Sequence, residues 1–255
     1  MTRIIAVGNQ KGGVGKTTTT LNLGAALAQA GSSVLLIDLD PQAALTAAFG
    51  KDPYTIEPDL RSVLEPNGVP MHEATVRIGR NLYLLPGSLR LPGGPREPEE
   101  PLELPPQRLR RLLHRYRLPF DFVLIDTPPT LGGLTRTALV AAGELLIPVQ
   151  CHFLAMRGVR GILETIGPLR RDFNPDLALT GFVATMFDRQ SRVDAEVVEE
   201  LESVLGKDRV RAVIERDSAI VEASIAGVPV IDLDPDSSSA QAYRSLAEDL
   251  RHERF

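Results

Sequence analysis

The chain has 255 residues, 43% of them hydrophobic, a formal net charge of -5 and a single cysteine. That length and apolar content support one large core, and the negative balance confines any nucleic-acid contact to a local basic patch. Cys151 alone excludes an intrachain disulfide and a cysteine-rich metal site, which fits a reducing compartment.

The opening residues, MTRIIAVGNQ, are interrupted too soon for a signal peptide, and no apolar run approaches membrane-spanning length. The expectation is a soluble, cytoplasmic protein. RIIAVGN is a short β-branched run and predicts a buried strand. A glycine-rich loop follows. From Lys16 the pattern turns helical, with Leu21, Ala25 and Ala28 recurring on one face and Gly31 placed to end the helix. SVLLIDLD, NLYLLPG, FDFVLIDTPP, ELLIPVQ and LTGFVATMF predict further strands, and RVRAVI a weaker one. Helical patterns separate most of these runs. Apolar strands alternating with helices imply an α/β fold, a mostly parallel twisted sheet with helices on both faces. LRLPGGPREPEEPLELPPQ, residues 89–107, is rich in proline and glutamate and reads as an extended, solvated surface loop within a single domain, 1–255. The next segment, 107–117, predicts a helix with Leu109, Leu112, Leu113 and Tyr116 inward and Arg108, Arg111 and Arg115 on another face.

The stretch NQKGGVGKTTTT, residues 9–20, lies between strand and helix, the context a phosphate-binding loop requires. The common pattern is G-x-x-x-x-G-K-[ST]. Here Gln10 stands where its first glycine falls, while Gly12, Gly13, Gly15, Lys16 and Thr17 keep the register. Glycines let backbone N–H groups point inward, and the helix N-terminus adds positive potential. Lys16 would reach the β- and γ-phosphates, and Thr17 would ligate Mg²⁺. Asp38 and Asp40 end the second strand, and alternation puts them on one side of it. One carboxylate would serve the Mg²⁺ shell, the other the attacking water. Asp126, after the apolar FVLI, reads as the Walker B acid holding the metal shell through water.

Lys11-Gly12-Gly13-Val14-Gly15-Lys16-Thr17-Thr18 resembles the deviant Walker A motif of the ParA/MinD ATPases, and the whole chain resembles the ParA/Soj partition branch. The resemblance extends through DLDPQ, DTPP, FLAMRGVRGILETI, TMFD and the C-terminal EASIAGVPVIDLDPDSSSAQAYRSLAEDL. It implies ATP and Mg²⁺ as cofactors, with residues 11–18 cradling the phosphates. Lys11 would cross a dimer interface to the partner's ATP as a catalytic residue alongside Lys16 and Asp40. Asp40 would orient water, and Asp38 would join Thr17 and Asp126 around the metal from the second shell. Met186, Asp188 and Glu215 would border the nucleotide base. Arg189, Arg192, Arg216, Arg244 and Arg251 would contact DNA. The chain departs from the family pattern at Arg157, where glutamate is usual, and in IERDSAIVEA, where Glu215 replaces proline and Ala219 replaces arginine.

The implied function is a DNA-partition ATPase. ATP closes a sandwich homodimer that binds double-stranded DNA without sequence preference and so associates with the nucleoid. A ParB-like centromere-binding protein then stimulates hydrolysis. With the first strand so near the start of the sequence, no operator-binding helix-turn-helix is expected, and DNA binding is expected to be largely nonspecific. The alternative is a MinD-like membrane-cycling or cargo-positioning ATPase. The membrane form needs a basic amphipathic tail, and Glu248, Asp249 and Glu253 interrupt Tyr243, Leu246, Leu250 and Phe255 here, so no membrane partner is expected. An iron–sulfur reductase of related fold would need two cysteines per subunit. A metabolic ligase on a similar loop stays open as a reading but explains the combination of Lys11 and DLDPQ less well.

Overall fold

The computed structural model describes residues 2–100, 102–115, 119–152 and 155–253, without the side chains of residues 155–158 and 165. Its strands are β1 (Arg3–Val7), β2 (Val34–Asp38), β3 (Val76–Gly79), β4 (Leu82–Leu85), β5 (Phe122–Asp126), β6 (Glu144–Gln150), β7 (Ala178–Phe187) and β8 (Val210–Glu215). They hydrogen-bond into one sheet of order β3-β4-β2-β5-β1-β6-β7-β8. Every pairing is parallel except β3 with β4. β3 is the strand that the sequence pattern does not announce. It has four residues, none fully buried, so it lacks the continuous apolar signal of an interior strand.

The helices are α1 (Lys16–Gln29), α2 (Ala44–Ala48), α3 (Leu60–Leu64), α4 (Met71–Ala74), α5 (Arg108–Arg115), α6 (Gly133–Ala141), α7 (Ala155–Asp172), α8 (Arg192–Leu205), α9 (Ser218–Ala226), α10 (Val230–Leu233) and α11 (Ser238–His252). They cover both faces of the sheet, and strand alternation sorts the core accordingly. Leu35, Ile37, Val123 and Ile125 pack with α3–α8 on one side. Val34, Leu36, Phe122 and Leu124 pack with α1 and α9–α11 on the other. α1 ends as expected, with Ala30 as its cap and Gly31 following at φ 96°.

Two expectations need correction. Residues 89–107 are not simply solvated: Leu89 and Leu91 are buried, and Leu102 and Leu104 pack against the core. Their apolar side chains outweigh the proline and glutamate around them. The basic helix is Arg108–Arg115, and Tyr116 and Arg117 lie outside the described residues. Leu109, Leu112 and Leu113 do face inward. Arg108 leaves the shared face with Arg111 and Arg115 and donates to Leu64 O and Glu65 O, closing the carboxyl end of α3.

At the amino ends of the strands, Arg3 donates to both Glu144 carboxylate oxygens at 2.8 and 2.6 Å and to Leu250 O. Thr180 Oγ1 adds a bond to Glu144. One ion pair thus joins β1, β6, β7 and the end of α11.

Candidate nucleotide site

The loop from β1 to α1 sits over the middle of the sheet, at the carboxyl ends of its parallel strands, where open α/β sheets bind ligands. Gly13 and Gly15 have φ of 71° and 84°, backbone that L side chains rarely adopt. α1 starts with no side-chain cap. Among the described residues, the backbone N–H groups of 12–18 donate no hydrogen bond. They are open donors at a helix N-terminus, suited to an anion. The loop is held from outside. Thr185 Oγ1 on β7 donates to Val14 O at 2.9 Å, Asn9 Nδ2 to Pro148 O at 2.7 Å, and Lys11 N to Asn9 Oδ1 at 3.1 Å.

Lys16 is 7% exposed, and its ammonium donates to Lys11 O at 3.2 Å. Burial lowers its pKa, against the opposing pull of Asp126 and Asp40. Thr17 Oγ1 donates to Asp126 Oδ2 at 2.7 Å. Asp126 is fully buried, and desolvation, with the neighbouring Asp38 charge next, holds its pKa well above the carboxylate range. A buried cation, a hydroxyl and a carboxylate whose charge is disfavoured form a set that a phosphate-bound cation would complete. No trio of His, Cys, Asp and Glu among the described residues converges into a protein-only metal site.

Asp38 pairs in register with Asp126, on the adjacent strand. Both its oxygens are engaged: Oδ2 by Thr46 N at 2.8 Å and Thr46 Oγ1 at 2.7 Å, Oδ1 by Asp40 N at 3.3 Å. Burial raises its pKa to about 6, with the Thr46 bonds opposing. β2 ends at Asp38, so strand alternation is not what aligns Asp40 with it. Asp40 lies in the following turn, 8% exposed, where its Oδ1 accepts from Gln42 N at 2.9 Å. It borders a groove of about 470 Å³ that Leu102, Leu104, Pro128 and Thr130 also line.

Lys11 is half-buried, and its ammonium donates to Gln150 Oε1 at 3.2 Å. Met186 sits at φ 55°, where the β7–β8 register shifts, a strained backbone of the kind found at binding sites. Asp188 Oδ1 accepts from Gln190 N at 2.9 Å. Glu215 forms an ion pair with Arg189, so residues assigned to base and to DNA meet each other. The five C-terminal arginines do not gather. Arg189, Arg192 and Arg216 lie near the carboxyl ends of β7 and β8, and Arg192 pairs with Glu196 at 3.1 Å. Arg244 bonds Gln29 and Pro235 O, and Arg251 is exposed near the end of α11. The Arg157 side chain lies outside the description. Thr46, Asn9 and Gln150 support the site without matching any phosphate-loop pattern, and single-sequence spacing carries no signal for them.

A strand–loop–helix anion cradle over a parallel sheet, with a buried lysine and a threonine–aspartate pair beneath it, defines a P-loop nucleoside triphosphatase fold. A family model described as an AAA domain matches residues 2–179. The chromosome-partitioning ATPase Soj of Thermus thermophilus is 39% identical over 248 residues, covering 97% of this chain and 95% of that protein. The structure of a Mycobacterium smegmatis protein named cobyrinic acid a,c-diamide synthase, with bound ATP analog and magnesium, superposes with a TM-score of 0.81 at 36% identity, covering 99% of this chain and 95% of that one. The cell division ATPase MinD of Pyrococcus furiosus gives a TM-score of 0.82 at 29% identity, over 98% and 99% of the two chains. The chain belongs to the ParA/Soj family of P-loop ATPases.

Proposed function

We propose that this chain is a single-domain, Mg²⁺-dependent ATPase that partitions DNA. ATP closes a homodimer, the dimer holds double-stranded DNA without reading its sequence, and a ParB-like centromere-binding protein stimulates hydrolysis and release. The convergence of Lys16, Thr17, Asp126 and Asp40 beneath the open amides of residues 12–18 carries this reading.

The residue roles follow from charge and reach. The amides of residues 12–18 and the Lys16 ammonium bind the β- and γ-phosphates, and binding exchanges the weak Lys11 carbonyl contact for phosphate oxygens. Bound Mg²⁺ would neutralise phosphate charge. Thr17 would hold it directly, and Asp126, within hydrogen-bond reach of Thr17, would hold its shell. Asp38 orders this region from behind through Thr46 and the Asp40 amide. Asp40, at the mouth of the adjoining groove, orients the attacking water. Met186, Asp188 and Glu215 border the base.

Lys11 acts in trans, leaving Gln150 to meet the ATP of the other subunit and offset charge that grows in the transition state. A MinD-like membrane cycle is less well supported. Tyr243, Leu246 and Leu250 of α11 are at most 1% exposed, so its apolar face is already packed. No helix among the described residues is long and apolar enough to cross a membrane.

Mixing two inactive variants tests the mechanism. Lys11→Gln keeps its own Asp40, and Asp40→Ala keeps its Lys11. In a heterodimer one ATP site has both defects and the other has neither, provided Lys11 works across the interface. Each variant alone should hydrolyse poorly, and the mixture should regain activity at one site. No recovery from heterodimers shown to form would rule out the trans role.

A further inference from the structure

The chain is acidic overall, yet one face is not. α5 reads RLRRLLHR, four arginines and a histidine without an acid. Burial of Leu109, Leu112 and Leu113 turns Arg111, His114 and Arg115 outward. Arg110 runs sideways and donates to Phe173 O, just beyond α7, at 3.4 Å. From α6, the exposed Arg136 guanidinium lies 5.6 Å from the Phe173 ring centroid. Phe173 is thus the point where basic groups of three helices meet, with Arg170 and Arg171 exposed on the last turn of α7. Arg171 pairs with Asp172 at 3.3 Å. Arg111, Arg115, Arg136 and Arg170 form no ion pair among the described residues. Near the end of the sheet, Arg189 and Arg192 pair with Glu215 and Glu196, while Arg216, Arg244 and Arg251 form no ion pair among the described residues.

We propose that the α5–α6–α7 arginine face is the main contact for the phosphate backbone of duplex DNA, resting on the reading of this chain as a DNA-partition ATPase. Guanidinium groups without a carboxylate partner bind phosphate without first breaking an ion pair. Phosphate contacts carry no sequence information. An anionic membrane fits poorly, because interfacial helices insert exposed bulky apolar residues and those of α5 are buried. The ends of α5 and α7 on this face are also remote from the ATP chemistry. α5 and α7 end toward the amino ends of β5 and β7, while the phosphate loop lies at the carboxyl ends. DNA contact and hydrolysis are therefore separable by mutation.

The test compares wild type with the triple variant Arg111→Glu, Arg115→Glu, Arg170→Glu, each loaded with Mg²⁺ and a non-hydrolysable ATP analogue, on a short duplex of random sequence. The variant should bind at least about tenfold more weakly, with a log K against log salt slope shallower by about 0.9 per lost phosphate contact. Its ATP affinity and basal hydrolysis should match wild type, which also shows that it folds. The corresponding triple Arg→Lys variant should retain most of the affinity. Wild-type DNA binding by the glutamate variant would overturn this surface while leaving the partition reading intact. So would loss confined to an Arg189→Glu, Arg192→Glu variant, or wild-type retention on anionic vesicles in place of DNA. A wild-type protein that binds no DNA with the analogue would overturn the partition reading and this surface with it.

Discussion

Thr46 is a single side chain outside every recognisable motif that holds an acid of the candidate site. Its amide and hydroxyl both donate to Asp38 Oδ2, and its hydroxyl accepts from Gly87 N at 2.8 Å. Gly87 is pressed so close that an added Cβ would lie 2.7 Å from Asp38 Cγ. One hydroxyl therefore joins α2, the carboxylate at the end of β2 and the Gly87 turn that leads into the 89–107 segment beside the groove next to Asp40. Thr46→Val keeps the shape and removes the hydroxyl, leaving a buried carboxylate and a buried amide each short of a partner, a loss of about 1–3 kcal/mol. Turnover should fall about tenfold while ATP affinity stays near wild type, because positioning acts on the transition state. Thr46→Ser should restore most of it. Steady-state rates alongside titration calorimetry read both quantities, and an equal loss of affinity would show a merely structural role.

At the scale of elements, α11 is the clearest case of packing that bears on the proposed function. In sequence its Tyr243, Leu246 and Leu250 spacing suits a membrane-seeking helix as well as a core helix, and the acids Glu248, Asp249 and Glu253 already favour the core. In the fold it lies against α1, with Leu246 at 0% exposure. Leu246→Ala should cost about 2–5 kcal/mol, read as a lower midpoint in urea. Binding of the wild type to anionic vesicles, with α11 leaving the core, would contradict this packing. The 89–107 segment teaches the same lesson in reverse. Its prolines and glutamates signal solvent, but Leu89 and Leu91 anchor it, and it lines part of the groove next to Asp40. α2 begins at Ala43 with φ 51°, a strained turn tolerated where the chain bends directly after Asp40.

For the molecule as a whole, the sheet sets the phosphate-handling groups on one edge. Val7, Asp38 and Asp126 end three adjacent parallel strands in matched register, so the loop after β1 meets the acids from β2 and β5 without further adjustment. A ligand bound there stabilises only the folded state, by about 2.7 kcal/mol at a hundredfold excess over Kd. For a chain of this size that corresponds to a rise in Tm of about 5–10 °C. Mg²⁺-ATP should produce it, chelating Mg²⁺ should reduce it, and Lys16→Ala should abolish it. A rise that survives in Lys16→Ala would place the nucleotide elsewhere. The joining of β1, β6, β7 and α11 through Arg3 and Glu144 closes the opposite edge, away from the chemistry.

The residues assigned to phosphate were legible in the sequence because the features that mark them depend on local order. Gly13 and Gly15 supply a backbone shape, Lys16 and Thr17 begin a helix, and Asp38 and Asp126 end apolar strands. Each is specified within a few neighbours. The α/β alternation was legible for the same reason, since strands buried on both faces leave continuous apolar runs. The rest depends on which distant segments pack together. The antiparallel β3 is too short and exposed to announce itself. Thr46 matters only because Gly87 and Asp38 arrive beside it, and Arg189 is neutralised only because β7 and β8 bring it to Glu215. The α5, α6 and α7 arginines become one surface only at Phe173. Charge acts through space rather than along the chain, so the basic face of an acidic protein was decided by its tertiary structure.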